Sequence, residues 1–270
     1  MPEAGMSTGD MLPDSRTVAE LIEGALAAGD SAQNALIVLH GQKSHEVYAA
    51  TLALAQSECP RKRRLAAGFL GELGMAQYTF PVEGLNVLLA MLRDEQVVEV
   101  LEAVLLALAH YEIAPVLPDI IRSVQHSDPK VRRAGAIALA GCEDRRAIDQ
   151  LVSLSQDADA RVRDWATCGL GSLSDLNIPQ VCDALAARLE DPDADTRAEA
   201  LMGLAVRGDH RVVAALQREL TGDEVGTLVV EAAKVVHSPE LGAALEYLRT
   251  WWDVDPALLD EAIAACGCSI

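Results

Sequence analysis

The residues of this chain that most invite a chemical reading are the alternating acids that open DPDADTRAEALMGLA, Asp191, Asp193 and Asp195. Oxygen ligands at that spacing suit a calcium loop, which needs Gly at its sixth position to turn and Glu at its twelfth to close on the ion. Here the sixth is Thr196 and the twelfth Met202, so the acids must do another job. His40, His110, His126, His210 and His237 share no motif and stand mostly where helices should end, as solvated or capping side chains. Cys59, Cys142, Cys168 and Cys182 lie in apolar helical surroundings without a C-x-x-C pair. Cys266 and Cys268, in the terminal CGCSI, supply two of the four ligands of a structural zinc, and Gly267 stands where a prenylation box has cysteine. The sequence has no Gly-rich phosphate loop after a strand, no GxSxG elbow and no cysteine in a nucleophile setting. It therefore predicts no catalytic residue, no metal and no cofactor.

What must position these residues is set by composition. Half of the 270 residues are apolar but only 3% are aromatic, with Ala and Leu supplying most of the hydrophobic mass, as closely packed helices require. The formal net charge is −19, from 22 basic and 41 acidic side chains. Residues 1–135 carry 11 basic and 17 acidic groups and residues 136–270 carry 11 and 24, so the excess lies mainly in the second half. Binding to a phosphate backbone is disfavoured, because it draws on Lys and Arg, and a basic protein is the natural partner. The start of the chain lacks a basic region followed by an apolar one, and nowhere do about eighteen uncharged apolar residues run together. A soluble cytoplasmic protein without membrane contact is expected.

Internal repeats decide the fold. DPKVRRAGAIALAG from Asp128, DARVRDWATCGLG from Asp159 and DADTRAEALMGLA from Asp193 align, and the register extends to Cys59, Asp94 and Glu224. Taking the residue three places on as anchor gives Lys62, Val97, Val131, Val162, Thr196 and Thr227, spaced by 35, 34, 31, 34 and 31. Leu70, Leu105, Leu139, Leu170, Leu204 and Val235 follow eight residues after each. Each unit reads as a first helix with small residues at close-packing positions, then a short amphipathic second helix such as PVEGLNVLLAML, RRAIDQLVSLS, IPQVCDALAARL or HRVVAALQREL. Asp128, Asp159 and Asp193 fall just before a first helix, where a carboxylate accepts backbone N–H bonds and meets the positive end of the dipole. Arg63, Arg132, Arg163 and Arg197 follow their anchors by one residue and should stack as a ladder beside the aspartates, pairing within and between repeats.

The stretch DPKVRRAGAIALAG, from Asp128 to Gly141, resembles HEAT-like repeats of the phycobilisome-lyase type, and the resemblance covers residues 59 to about 250. The resemblance implies an all-α, right-handed α-solenoid of about six to eight short helix pairs. Residues 1–16 are expected to be a disordered tail and 17–58 an irregular cap with helices over 17–28, 31–40 and 44–56. Residues 251–270 should close the stack, with Pro256 near the start of the last helix. Proteins of this repeat type include bilin lyase subunits, metal-dependent hydroxylases and scaffolds without chemistry. The iron-binding relatives repeat His-Glu dipeptides on several helices, whereas this chain has one, His45-Glu46. The DNA glycosylases built from such repeats need a basic face, which a charge of −19 opposes.

The reading that remains is protein recognition by the exposed side of the second helices. It places Arg145, Arg146, Asp149 and Gln150 on one unit, Gln180, Asp183 and Arg188 on the next, then Arg211, Gln217 and Arg218. Trp165 belongs to the core of a first helix. Trp251 and Trp252 point about 100° apart on a helix, so one covers the junction with the last helix while the other, taken as Trp252, meets a partner. The function expected is a non-enzymatic scaffold or adaptor with an acidic surface. Its alternatives are an inhibitor or immunity-type protein masking a basic partner such as a nuclease, and a bilin-lyase-like subunit acting with a partner.

Overall fold

The computed structural model describes residues 17–28, 45–73 and 81–267. Among these there are fifteen α-helices and no strand, the all-α architecture of a HEAT-like α-solenoid. They group into two compact units, one ending at Ala107 and the other beginning at Leu108.

The first unit contains α1 (Val18–Ala28), α2 (His45–Ala55), α3 (Pro60–Leu73), α4 (Pro81–Asp94) and α5 (Val98–Leu108). Thr17 opens α1 with a capping box: its Oγ1 accepts from the Glu20 N–H, and the Glu20 carboxylate accepts from the Thr17 N–H. α1 packs on α2 and α3, and α3 on α2 and α4, around Leu21, Ala66, Phe69, Leu70 and Leu88. The helices expected over 17–28 and 44–56 are α1 and α2; the one expected over 31–40 lies outside the described residues, as do the N-terminal tail and Cys268.

The second unit alternates the two kinds of helix. The first helices are α7 (Pro129–Leu139), α9 (Ala160–Leu170), α11 (Ala194–Val206), α13 (Thr227–Val236) and α15 (Pro256–Ala265); the second helices are α6 (Leu117–Ser123), α8 (Arg145–Leu154), α10 (Pro179–Ala186), α12 (Val212–Leu220) and α14 (Gly242–Leu248). Each first helix stacks on the next, α7 on α9, α9 on α11, α11 on α13 and α13 on α15. Small residues set how closely they approach: a Cβ added to Gly203 of α11 would lie 2.7 Å from the Gly171 Cα at the end of α9. The apolar stripe of α8 buries Ala147, Ile148, Leu151 and Leu154, and leaves Arg145, Arg146 and Asp149 outside.

Val131, Val162 and Thr196 are fully buried, as anchors must be. At two flanking repeats the register differs from the sequence alignment. Val97 and Thr227 stand at the helix starts, and Val100 and Val229, three and two residues on, take the buried position. The cause is the cap. Asp128, Asp159 and Asp193 fix the start of a helix, whereas Asp94, three residues before Val97, ends α4, and α13 starts after Gly226 with no side-chain cap.

Candidate protein-binding surface

Charged side chains organise this molecule at two levels, the junctions between repeats and the outer side of the second helices. At the junctions, Asp128, Asp159 and Asp193 are N-caps, their carboxylates accepting from Lys130 N–H, from Arg161 and Val162 N–H, and from Thr196 N–H respectively. The arginines pair elsewhere than beside these caps. Arg132 grips Asp157 through Nε and Nη2 at 2.7 and 2.8 Å, and Arg163 grips Asp191 at 2.8 and 2.8 Å. Arg63 holds Glu95 in the same way at 2.7 and 3.0 Å, while Arg197 turns to Glu219 on α12 at 2.7 and 3.3 Å.

The remaining nitrogen of each arginine donates to two carbonyls of the loop before its own helix: Ser57 and Glu58 for Arg63, His126 and Ser127 for Arg132, Asp157 and Ala158 for Arg163, Asp191 and Pro192 for Arg197. One guanidinium thus ties the entry loop of its own helix to a carboxylate farther along the chain, with the fork geometry that only arginine supplies. The carboxylates in turn accept the N–H of the cap residue two places on, Asp157 from Asp159 and Asp191 from Asp193.

This resolves the aspartate run. Asp191, whose side chain is 1% exposed, is the rung of the ladder and also takes Arg188 at 3.2 Å; Asp193 is the cap. Burial pushes the Asp191 pKa up, but the Arg163 hydrogen bonds, the Asp193 N–H and the nearby positive charges outweigh it and hold the carboxyl below its ordinary value. The balance at Asp157 is the same, with Arg132 as the partner.

A further, half-buried cation carried no sequence signal. Arg207, after α11, donates to the carbonyls of Leu170, Gly171, Ser174, Leu176 and Gly203, gathering the orphan acceptors where α9 ends. Burial lowers its pKa. Asp164 on α9 has its pKa raised to about 6, by burial first and then by Glu199, Asp195 and Asp193. Burial and Glu199 push the Cys168 thiol to about 12, which keeps it protonated and unreactive. Cys266 is also buried, with Sγ 3.6 Å from the Ala233 carbonyl. Trp165 is half-buried.

On the second helices, most residues expected to meet a partner first meet other groups of this chain. Gln150 accepts from Gln125 at 3.1 Å, Asp149 from Gln180 at 2.8 Å, and Asp183 from Arg211 at 2.8 Å. Arg218 pairs with Glu190, and Gln217 donates to the Glu240 carbonyl at 3.0 Å. Arg145 reaches Asp149 at 3.5 Å, and Arg146 folds back on Asp144, the N-cap of α8, whose pKa it draws down to about 2. Apart from the Arg145 and Arg146 pairs, which stay within α8 and its cap, these contacts reach from one repeat to the next; the groups are mostly exposed, with Arg145 at 76% and Asp183 at 70%.

Two of the expected contact residues are placed otherwise. Arg188 belongs to the junction, only 19% exposed beside Asp191. Trp252 is buried, its indole N–H donating to the Val225 carbonyl at 2.7 Å, so it is Trp251, 40% exposed, that faces outward. Both stand after the end of α14 and not on a helix, and the sequence holds nothing that says which ring finds a carbonyl.

Among the described residues no cluster of three His, Cys, Asp or Glu could hold a metal, and no helix is long and apolar enough to cross a membrane. The first unit holds an open cavity of about 600 Å³ between α2, α3 and α4, walled by Leu52, Val87, Met91, Asn86 and the Arg63–Glu95 pair.

Helix pairs in this order, first helices stacked and second helices bridged by side chains, define a repeat protein of the α-solenoid class. Residues 85–171 and 114–205 match the family model of HEAT repeats. It is 33% identical over 133 residues to the protein YibA of Escherichia coli strain K12, an alignment covering 49% of this chain and 47% of that one. The matched stretch thus spans about half the length of the curated relative. The X-ray structure of YibA aligns over 100% of both chains with a TM-score of 0.72 at 21% identity, a likeness of fold. The complex of CpcE and CpcF of phycocyanin lyase from Nostoc aligns over 99% of this chain and 98% of that one with a TM-score of 0.49 at 19% identity.

Proposed function

We propose that this chain is a non-enzymatic binding protein whose partner is a basic protein, held by the acidic surface of the solenoid. The observation that carries this reading is where the arginines go. Arg63, Arg132, Arg163, Arg188 and Arg197 are spent on junction carboxylates, Arg207 on carbonyls, and Arg145, Arg146, Arg211, Arg218 and Arg249 on neighbouring surface acids. A formal charge of −19 with so many cations already engaged leaves an outer field that is negative. Such a field repels nucleic acid and steers a basic protein into contact. The finer form of this reading is an inhibitor or immunity-type protein that covers a basic partner such as a nuclease, for which the concentration of charge in the second half of the chain is the support.

The experiment is capture from the native cell extract with the full chain as bait, at low and at high salt, with bound proteins identified by mass spectrometry. A basic protein retained at low salt and lost at high salt is the expected result. Capture of nothing, or of a set unchanged by salt, would sink the electrostatic reading.

A further inference from the structure

Most large apolar side chains in the second unit are buried, but three lie exposed within eight residues of one another: Tyr247 at 56%, Trp251 at 40% and Val254 at 67%. Tyr247 belongs to α14, and Trp251 follows one turn later, in a turn that continues the helix through the Thr250 N–H to Tyr247 carbonyl and Trp251 N–H to Leu248 carbonyl bonds. The segment is held firmly. Thr250 Oγ1 donates to the Tyr247 carbonyl at 2.7 Å, and Trp252, buried beside Trp251, is pinned by its indole N–H on Val225. Two aromatic rings and a valine are therefore displayed on a fixed base, a costly arrangement in water unless something covers them.

The charge around them says what. Between residues 240 and 261 stand Glu240, Glu246, Asp253, Asp255, Asp260 and Glu261; Lys234 takes up Glu261 at 2.8 Å, and the stretch itself holds a single cation, Arg249. That cation is already committed, donating to Glu246 at 3.3 Å and to Asp260 of α15 at 2.8 Å. Asp253 and Asp255 flank the exposed Val254 and are themselves exposed. Aromatic faces set among carboxylates attract a planar, weakly hydrated cation, because the ring quadrupole and the acids act in the same sense and the ring also covers the cation's apolar stem. Arginine fits better than lysine, whose compact ammonium holds its water.

We infer that Tyr247, Trp251 and Val254 form the contact site for an arginine-bearing segment of the basic partner. This rests on the binding function proposed above and locates that function at the C-terminal end of the second unit. The guanidinium lies over the exposed rings, Asp253 and Asp255 compensate its charge, and Val254 meets its neighbouring apolar residue.

The test uses the full chain and two defined probes, a nonaarginine and a nonalysine peptide, titrated at low salt with tryptophan fluorescence and calorimetry as readouts. The wild type should bind the arginine peptide more tightly than the lysine peptide, with a change in tryptophan emission. Trp251→Ala and Tyr247→Ala should each weaken it by about tenfold, the loss typical of a central aromatic anchor. Val254→Arg, at a position too exposed to disturb folding, should do the same by repulsion, with circular dichroism confirming the fold of all three. Glu112→Gln, exposed near the start of the second unit, should change affinity little. Wild-type binding that persists undiminished in Trp251→Ala and Val254→Arg would overturn the site but leave the acidic-surface reading standing. Failure of the wild type to bind either peptide would overturn both.

Discussion

Two sets of ion pairs run along the second unit, and they differ in what the pairing does. At the junctions, Arg132–Asp157 and Arg163–Asp191 are bidentate, their acids are 11% and 1% exposed, and the third nitrogen of each arginine is satisfied by loop carbonyls. On the second helices, Arg211–Asp183 and Arg218–Glu190 join side chains that are 38 to 77% exposed. Removing water makes the first set costly to break, because a lone charge would be stranded; the second set can exchange its partners for water. The same residue types at similar spacing therefore hold the fold in one place and remain open to a competing ligand in the other.

The sharpest way to break the comparison is Asp191→Ala, which strips the partner from both Arg163 and Arg188. Urea unfolding should show a loss of about 3–5 kcal/mol, the usual cost of orphaning a buried ion. Arg207→Lys should follow at about 2–3 kcal/mol, since an ammonium has three protons for five carbonyls and leaves acceptors unpaired near the end of α9.

The pH response should also split. Asp157 and Asp191 have depressed pKa values, so their contribution is complete above the ordinary carboxylate value near 3.8 and is lost as pH falls through the lower folded value. Asp164 runs the other way. With its folded pKa raised to about 6, it favours the folded state below pH 3.8, and that contribution disappears as pH rises towards 6, leaving a half-buried charge at neutrality. Asp164→Asn should thus raise the melting temperature by about 2–4 °C at pH 7.5 and lose that advantage near pH 4. The smallest effect belongs to Arg218→Ala, below about 1 kcal/mol, as a pair exposed on both sides warrants.

How much of this was legible in the sequence follows from the same distinction. The caps Asp128, Asp159 and Asp193, the anchors Val131, Val162 and Thr196, and the arginine ladder are local features repeated along the chain, so alignment of the chain with itself exposes them. The ladder's acids were harder to see, because Glu95, Asp157, Asp191 and Glu219 lie at separations of 32, 25, 28 and 22 residues from their arginines and occupy no single offset. Where the arginine position falls on Leu101, between Arg63 and Arg132, the place two residues before the next cap holds His126, whose Nδ1 accepts the Asp128 N–H; arginine and carboxylate are both replaced there. Arg207 was invisible, since its five acceptors are backbone carbonyls, which carry no residue identity. On the second helices the expected residues are at the surface, but their contacts with one another depend on which rotamers meet across neighbouring helices, and composition does not encode that. Trp252 failed for the related reason that its acceptor, the Val225 carbonyl, is 27 residues away.

The most direct test of the account is a pair of double-mutant cycles on stability, one at Arg163 and Asp191 and one at Arg211 and Asp183. The account predicts a coupling of about 2–3 kcal/mol for the junction pair and below about 1 kcal/mol for the exposed pair. Equal couplings, or a larger one on the second helices, would contradict the division between a ladder that holds the fold and a surface left free to bind.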